Sequence, residues 1–212
     1  MARGITVLTG QAVNQSGLPY QLWRDAVRRL VLSIEPDAAH ASVLKEIVPD
    51  IERLLGWPVP EMHALEGPPA QKRLMQAVVD LFKNNTTPTL LILEDIPWSV
   101  DDLTVLQQLI PLLPELPLLV VASDRNDERN DLPQLLPEAA LLRLNRFNRD
   151  EIVVLSQSML GQNVGTNIID FIERHTRGNA FFIVEIMRSL AHQAGQLDAI
   201  NTMALPNDIS TG

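Results

Sequence analysis

Residues 89–98, TLLILEDIPW, constrain what this chain can fold into more than any other stretch. Leu90, Leu91, Ile92 and Leu93 run directly into two adjacent carboxylates, Glu94 and Asp95, with Pro88 and Pro97 bounding the segment. An apolar run of that length without polar alternation reads as a strand buried on both faces of a parallel sheet. Open α/β sheets bind ligands outside the carboxyl ends of such strands. Two acids placed there can hold a hydrated Mg²⁺ and polarise a water.

The surrounding pattern supports that sheet. Residues 4–10, GITVLTG, place β-branched residues between glycines and read as a short strand. Helical spacing over 21–34 (Leu22, Ala26, Leu30, Ile34), 42–55 (Val43, Ile47, Ile51, Leu54) and 70–83 (Leu74, Val78, Leu81) predicts three helices. Gly56 and Pro58 stop the second. After the acidic strand come a helix over about 100–113, a second apolar strand over 116–124, and a short strand over 139–144. Strands separated by helices point to parallel pairing through crossovers.

From Asn148 onward the pattern is helical only, over 149–160, 167–175 and 180–193. Asn148 is the expected N-cap, and Glu151 completes a capping box. The expected boundary therefore lies near residue 147, with an α/β part over 1–147 and a helical part over 148–212.

With 46% hydrophobic residues, the 212-residue chain can bury a sizeable core. A formal net charge of -9 argues against a nucleic-acid surface, which needs clustered Lys and Arg. The absence of cysteine excludes disulfides and thiolate metal sites and suits a cytoplasmic setting. His40, His63, His175 and His192 are far apart and read as structural or surface residues. No uninterrupted run of 18 apolar residues supports a membrane span, and no signal peptide is expected at the N-terminus.

Five segments, in order, resemble the nucleotide-binding domain of STAND-type AAA ATPases, the regulatory P-loop NTPase modules of bacterial signalling proteins and transcription regulators. They are LPYQLWRDAVRRL from Leu18, TLLILEDIPWSVDDLTVLQQL from Thr89, LPLLVVASDR ending at Arg125, TRGNAFFIVEIMRSL from Thr176 and LPNDIS from Leu205. The resemblance implies a partial AAA-like parallel sheet with flanking helices, then a small helical subdomain leading into a winged helix. It also implies ATP and Mg²⁺ as cofactors of the intact module. By position, Glu94 would be metal-associated, Asp95 would orient or deprotonate the attacking water, and Arg125 would sense the γ-phosphate. Gly178 and Asn179 fall in the segment that contacts nucleotide.

The sequence also departs from the family. Pro97 replaces a histidine, and Ala180 replaces the proline that helps hold adenine. A phosphate cradle needs a glycine-rich loop at a helix N-terminus and a lysine, G-x-x-x-x-G-K-[ST], and the chain contains none. Its nearest approach, Gly4 to Gly10, is followed by Gln11-Ala12. The expectation is a fragment lacking the P-loop and the first strand, with no tight ATP binding or hydrolysis by itself. Its partners would be neighbouring domains of a larger regulatory protein or a further copy, with no direct contact to nucleic acid or membrane. The alternative is a degenerate ATPase fold kept as a non-catalytic interaction module.

Bland readings of the same residues stand beside these. Glu94-Asp95 can be a solvated strand-end turn, and Arg125 a surface arginine. Gly178-Asn179 can cap the preceding helix. Asp101-Asp102 suit a helix start. Trp23, Trp57 and Trp98 read as core or interface anchors, and Phe181-Phe182 as packing between the two parts.

Overall fold

The computed structural model describes residues 4–11, 20–61, 67–96, 100–125, 132–161 and 164–194. His63, Pro97, Trp98 and the LPNDIS segment lie outside these residues. The chain divides into two compact units at Leu141/Leu142, six residues before the boundary expected from the sequence. Each unit has its own hydrophobic core.

The first unit is built on three parallel strands, β1 (Thr6–Gln11), β2 (Thr89–Glu94) and β3 (Leu118–Ala122), in the order β1-β2-β3. The acidic strand is thus central among the described strands. Its register runs from Thr6↔Thr89 to Gln11↔Glu94 on one side and from Thr89↔Leu118 to Leu93↔Ala122 on the other. Thr6 N–H donates to the Pro88 carbonyl at 2.9 Å and Thr89 N–H to that of Pro117 at 2.8 Å, so both ladders start level. β2 is not buried on both faces as its sequence suggests. Thr89, Leu91 and Leu93 are buried, whereas Leu90 and Ile92 are only partly so. The reason is that packed helices cover one face of the sheet.

That covered face meets α1 (Gln21–Ser33), α4 (Pro68–Asn84) and α5 (Val100–Leu109) in one core. α1 forms because Leu22, Trp23, Ala26, Val27, Leu30 and Val31 recur at helical spacing, and all are buried. Trp23 meets Phe82 edge-on with ring centroids 5.9 Å apart, both rings essentially inaccessible to solvent. Burying each is worth roughly 1.5–3 kcal/mol, with about 1 kcal/mol more from the ring geometry. Trp23 is the core anchor its sequence suggested. Trp57 is only half-buried and donates its indole N–H to Glu35 Oε1 at 3.2 Å. A Cβ on Gly10 would lie 2.0 Å from the Leu22 carbonyl oxygen, so glycine alone lets β1 end against the start of α1.

Three elements differ from expectation. The single helix over 42–55 is two, α2 (Ala38–Leu44) and α3 (Ile51–Leu55). Pro49 lies between them and has no N–H to give to a helix ladder, so the chain turns while Val43, Ile47 and Ile51 still reach the core. Asp37 caps α2 through its carboxylate, and Gly56 ends α3 at φ 75°. Residues 139–144 are not a strand: no ladder partner pairs with them, and Leu141, Leu142 and Leu144 are exposed. The helix over 100–113 is α5 followed by a 3₁₀ segment, Ile110–Glu115, tightened where Pro111 and Pro114 lack the donors an α-helix needs. A short helix, α6 (Leu132–Leu135), follows β3 in the first unit.

The second unit packs α7 (Arg149–Leu160), α8 (Thr166–Thr176) and α9 (Ala180–Ala194) around Ile152, Ile168, Ile172, Ile183 and Met187. The expected capping box is present: Asn148 Oδ1 accepts from Glu151 N–H at 3.0 Å, and Glu151 Oε2 accepts from Asn148 N–H at 2.8 Å. Arg149 reaches across to both Asp170 and Glu173 and ties α7 to α8. Phe181 and Phe182 are not buried packing residues, being 68% and 42% exposed. Among the described residues no helix is long and apolar enough to cross a membrane.

Candidate functional site

The carboxyl end of the sheet gathers the chemistry that the sequence singled out on β2. β2 ends at Glu94, and Asp95 turns the chain with φ 55°, a left-handed conformation that aspartate tolerates better than most residues. Beyond the turn the backbone remains tied to β3: Ile96 N–H donates to the Ser123 carbonyl at 3.2 Å, and Ser123 N–H to that of Leu93 at 2.8 Å. The buried Ile96 side chain pins the far side of the turn. The bend is therefore held from both ends, and Asp95 is presented half-buried beside the exposed Glu94.

Gln11, the last residue of β1, is level in register with Glu94. Its Nε2 donates to Asp95 Oδ2 at 3.4 Å, so an uncharged amide orients that carboxylate. Sequence reasoning set Gln11 aside as a poor substitute for a P-loop lysine. Only strand pairing reveals that it belongs to the acidic turn, because nothing local links residue 11 to residue 95. Arg125 follows β3 at the same end of the sheet and is exposed.

Gly178 and Asn179 lie in the second unit, in the turn between α8 and α9. Arg177, at φ 49°, is the C-cap of α8, and Gly178 continues the left-handed turn at φ 78°. Asn179 does not cap the preceding helix; it caps the next one, its Oδ1 accepting from Phe181 N–H at 3.0 Å and Phe182 N–H at 3.3 Å. The Gly178 carbonyl accepts from Phe147 N–H at 2.8 Å, and Gly178 N–H donates to Thr176 Oγ1 at 3.2 Å. These bonds hold the turn and tie it to Phe147 ahead of α7.

In the α2–α3 region of the first unit, two carboxylates are held in structural ion pairs. Asp50 is held below the ordinary carboxylate range by its hydrogen bond from Arg53 and by the Arg28 guanidinium. Glu52 is lowered by hydrogen bonds from Lys45 and from the Val59 N–H.

An Mg²⁺ ion in a nucleotide site takes one or two carboxylates and completes its shell with waters and phosphate oxygens. Glu94 and Asp95 can supply the carboxylates. Among the described residues, however, no group of three or more His, Asp or Glu side chains is arranged to hold a metal ion. Gly10, the glycine at this end of β1, faces the Leu22 carbonyl at contact distance and forms no open phosphate cradle. Glu94 and Asp95 thus offer the carboxylates of such a shell, and the described residues around them offer no phosphate cradle. No protein-family model, curated protein or solved structure matches the chain.

Proposed function

We propose that this chain is part of a STAND-type regulatory ATPase module, carrying the acidic strand end of the nucleotide site without its phosphate-binding half. One observation carries the reading. The Thr89–Glu94 strand is the central strand of a parallel sheet, and Glu94 and Asp95 emerge at its carboxyl end, where α/β folds place ligands. In this reading Glu94 is the metal-associated residue, Asp95 faces the water, and Arg125 lies at the phosphate end. Gly178 and Asn179 hold the second unit's own turn. The whole protein would be a cytoplasmic switch in signal transduction or transcription regulation, using ATP and Mg²⁺, with the phosphate cradle supplied from outside these 212 residues.

The proposal is tested by titrating the purified chain with Mg²⁺-ATP. Neither micromolar affinity nor turnover is expected, because no lysine or glycine-rich loop is present to hold the phosphates. Measurable hydrolysis would overturn the half-site reading. Sequencing the coding DNA ahead of Met1 tests the family: an in-frame G-x-x-x-x-G-K-[ST] supports an ATPase parent, and a nearby stop codon counts against it.

A second reading, a non-catalytic interaction module on a degenerate ATPase fold, draws on Pro97, Ala180 and the absent P-loop motif.

A further inference from the structure

The sheet of the first unit has two unlike faces. In register, Leu8, Leu91 and Val120 point to the face packed on α1, α4 and α5. Val7, Leu90 and Leu119 point the other way, as do Thr9, Ile92 and Val121, with Ile5 extending the face at one end and Glu94 closing it at the other. On that second face Ile5 is 60% exposed, Val7 41%, Leu119 64% and Val121 49%. Thr9 and Glu94 apart, the side chains of this face are aliphatic and uncharged. All-parallel sheets occur almost only with helices on both faces, and among the described residues of the first unit this largely aliphatic face has no covering layer.

The dimensions select the occupant. Three strands about 4.8 Å apart and about six residues long present a patch of roughly 14 by 20 Å, or about 280 Å². A stable interface between two copies needs about 800 Å² per partner, so a second copy seated on this face falls far short. One α-helix about 10 Å wide and about 13 residues long covers the patch. Charge points the same way: two copies at a formal net charge of -9 repel each other, whereas a helix with Lys or Arg on its outer side is attracted.

We propose that the open face of the β1-β2-β3 sheet docks one cationic amphipathic helix from a partner, whose aliphatic stripe lies on Val7, Leu90, Ile92, Leu119 and Val121. Glu94 closes this face at its carboxyl end, one row beyond Ile92, but the proposal does not depend on the ATPase reading.

The test uses the full chain and a synthetic peptide of about 14 residues, with leucines at helical spacing and lysines elsewhere. A control peptide has the same composition with the leucines rearranged so that no apolar face forms. The patterned peptide is expected to bind, and the control to bind at least about tenfold more weakly. Leu119→Asp with Val121→Asp adds negative charge yet is expected to weaken binding about tenfold or more, because apolar contact is lost. Val121→Thr, nearly isosteric, keeps the test valid if the double variant fails to fold, and it too is expected to weaken binding. Equal affinity for both peptides, or for wild type and Val121→Thr, overturns the proposal. So does sedimentation showing a wild-type dimer that Val121→Thr weakens, since the face would then belong to a second copy.

Discussion

The backbone of Gly178 lies so close to Phe147 that a Cβ added there would sit 2.2 Å from the Phe147 carbonyl oxygen. Phe147 N–H in turn donates to the Gly178 carbonyl at 2.8 Å, which anchors the segment entering α7 to the α8–α9 turn. Gly178→Ala must therefore move this contact and also strain a residue at φ 78°. A loss of about 3 kcal/mol is expected, seen as faster amide exchange in α8 and α9. Unchanged exchange in those helices would mean that the contact is not a constraint.

Asn85 performs a comparable task in the first unit, where α4 ends and β2 begins. It is buried, and its Nδ2 donates to the Thr87 carbonyl at 3.0 Å and to Thr89 Oγ1 at 2.7 Å. Asn85→Ala strands buried polar groups and should cost about 2 kcal/mol in chemical denaturation followed by tryptophan fluorescence. Thr89→Val leaves the Thr87 bond in place and should cost less. If Thr89→Val proves the more damaging, the network has been ranked wrongly.

Asp95 is held at φ 55°, where a non-glycine residue costs about 1–2 kcal/mol and aspartate somewhat less. Asp95→Gly should be neutral or stabilising by up to about 1 kcal/mol, and Asp95→Ala destabilising by about 1 kcal/mol. Denaturation midpoints that do not separate the two variants would show that the strand-end turn is not held in the left-handed region.

Ser156 is fully buried in the second core, and its hydroxyl oxygen has no hydrogen-bond partner in the protein. Ser156→Ala removes that buried polar atom and favours the helix, so a gain of about 1 kcal/mol is expected. A fall in Tm instead would point to a bond made by the hydroxyl.

Asp37, Asp50 and Glu52 have folded-state pKa values below their ordinary ones, Asp50 mainly through Arg53 and then Arg28. Depressed carboxylates stabilise the fold fully above the ordinary carboxylate range, and that stability is lost as pH falls through the folded values. The Tm of wild type should thus fall on acidification from about pH 5. The gap between wild type and Asp50→Asn, present at neutral pH, should shrink over the same interval. A gap of constant size would remove Asp50 from the account.

The parts of the fold that were legible in sequence are those fixed by local physics. β2 reads true because an unbroken aliphatic run between Pro88 and Pro97 has few other destinations, and α7 because Asn148 and Glu151 satisfy each other across one turn. The break at Pro49 is hidden in the sequence because Val43, Ile47 and Ile51 keep a helical period across it, and all three still reach the core. Residues 139–144 carry strand-like composition, but a strand exists only with a ladder beside it, which no local pattern can supply. The acidic pair of the candidate site was visible for the same reason as β2. Gln11 was not, because its place beside Asp95 depends on two strands meeting.

That meeting sets the order of events on the ribosome. Thr6 pairs with Thr89, so β1 cannot join β2 until synthesis has passed the whole of α1 to α4. At about 5–20 residues per second, the wait is roughly 4–17 s. During that interval Val7 and Leu8 are without their β2 ladder, and early α1 packing against β1 offers the nascent strand a local shelter.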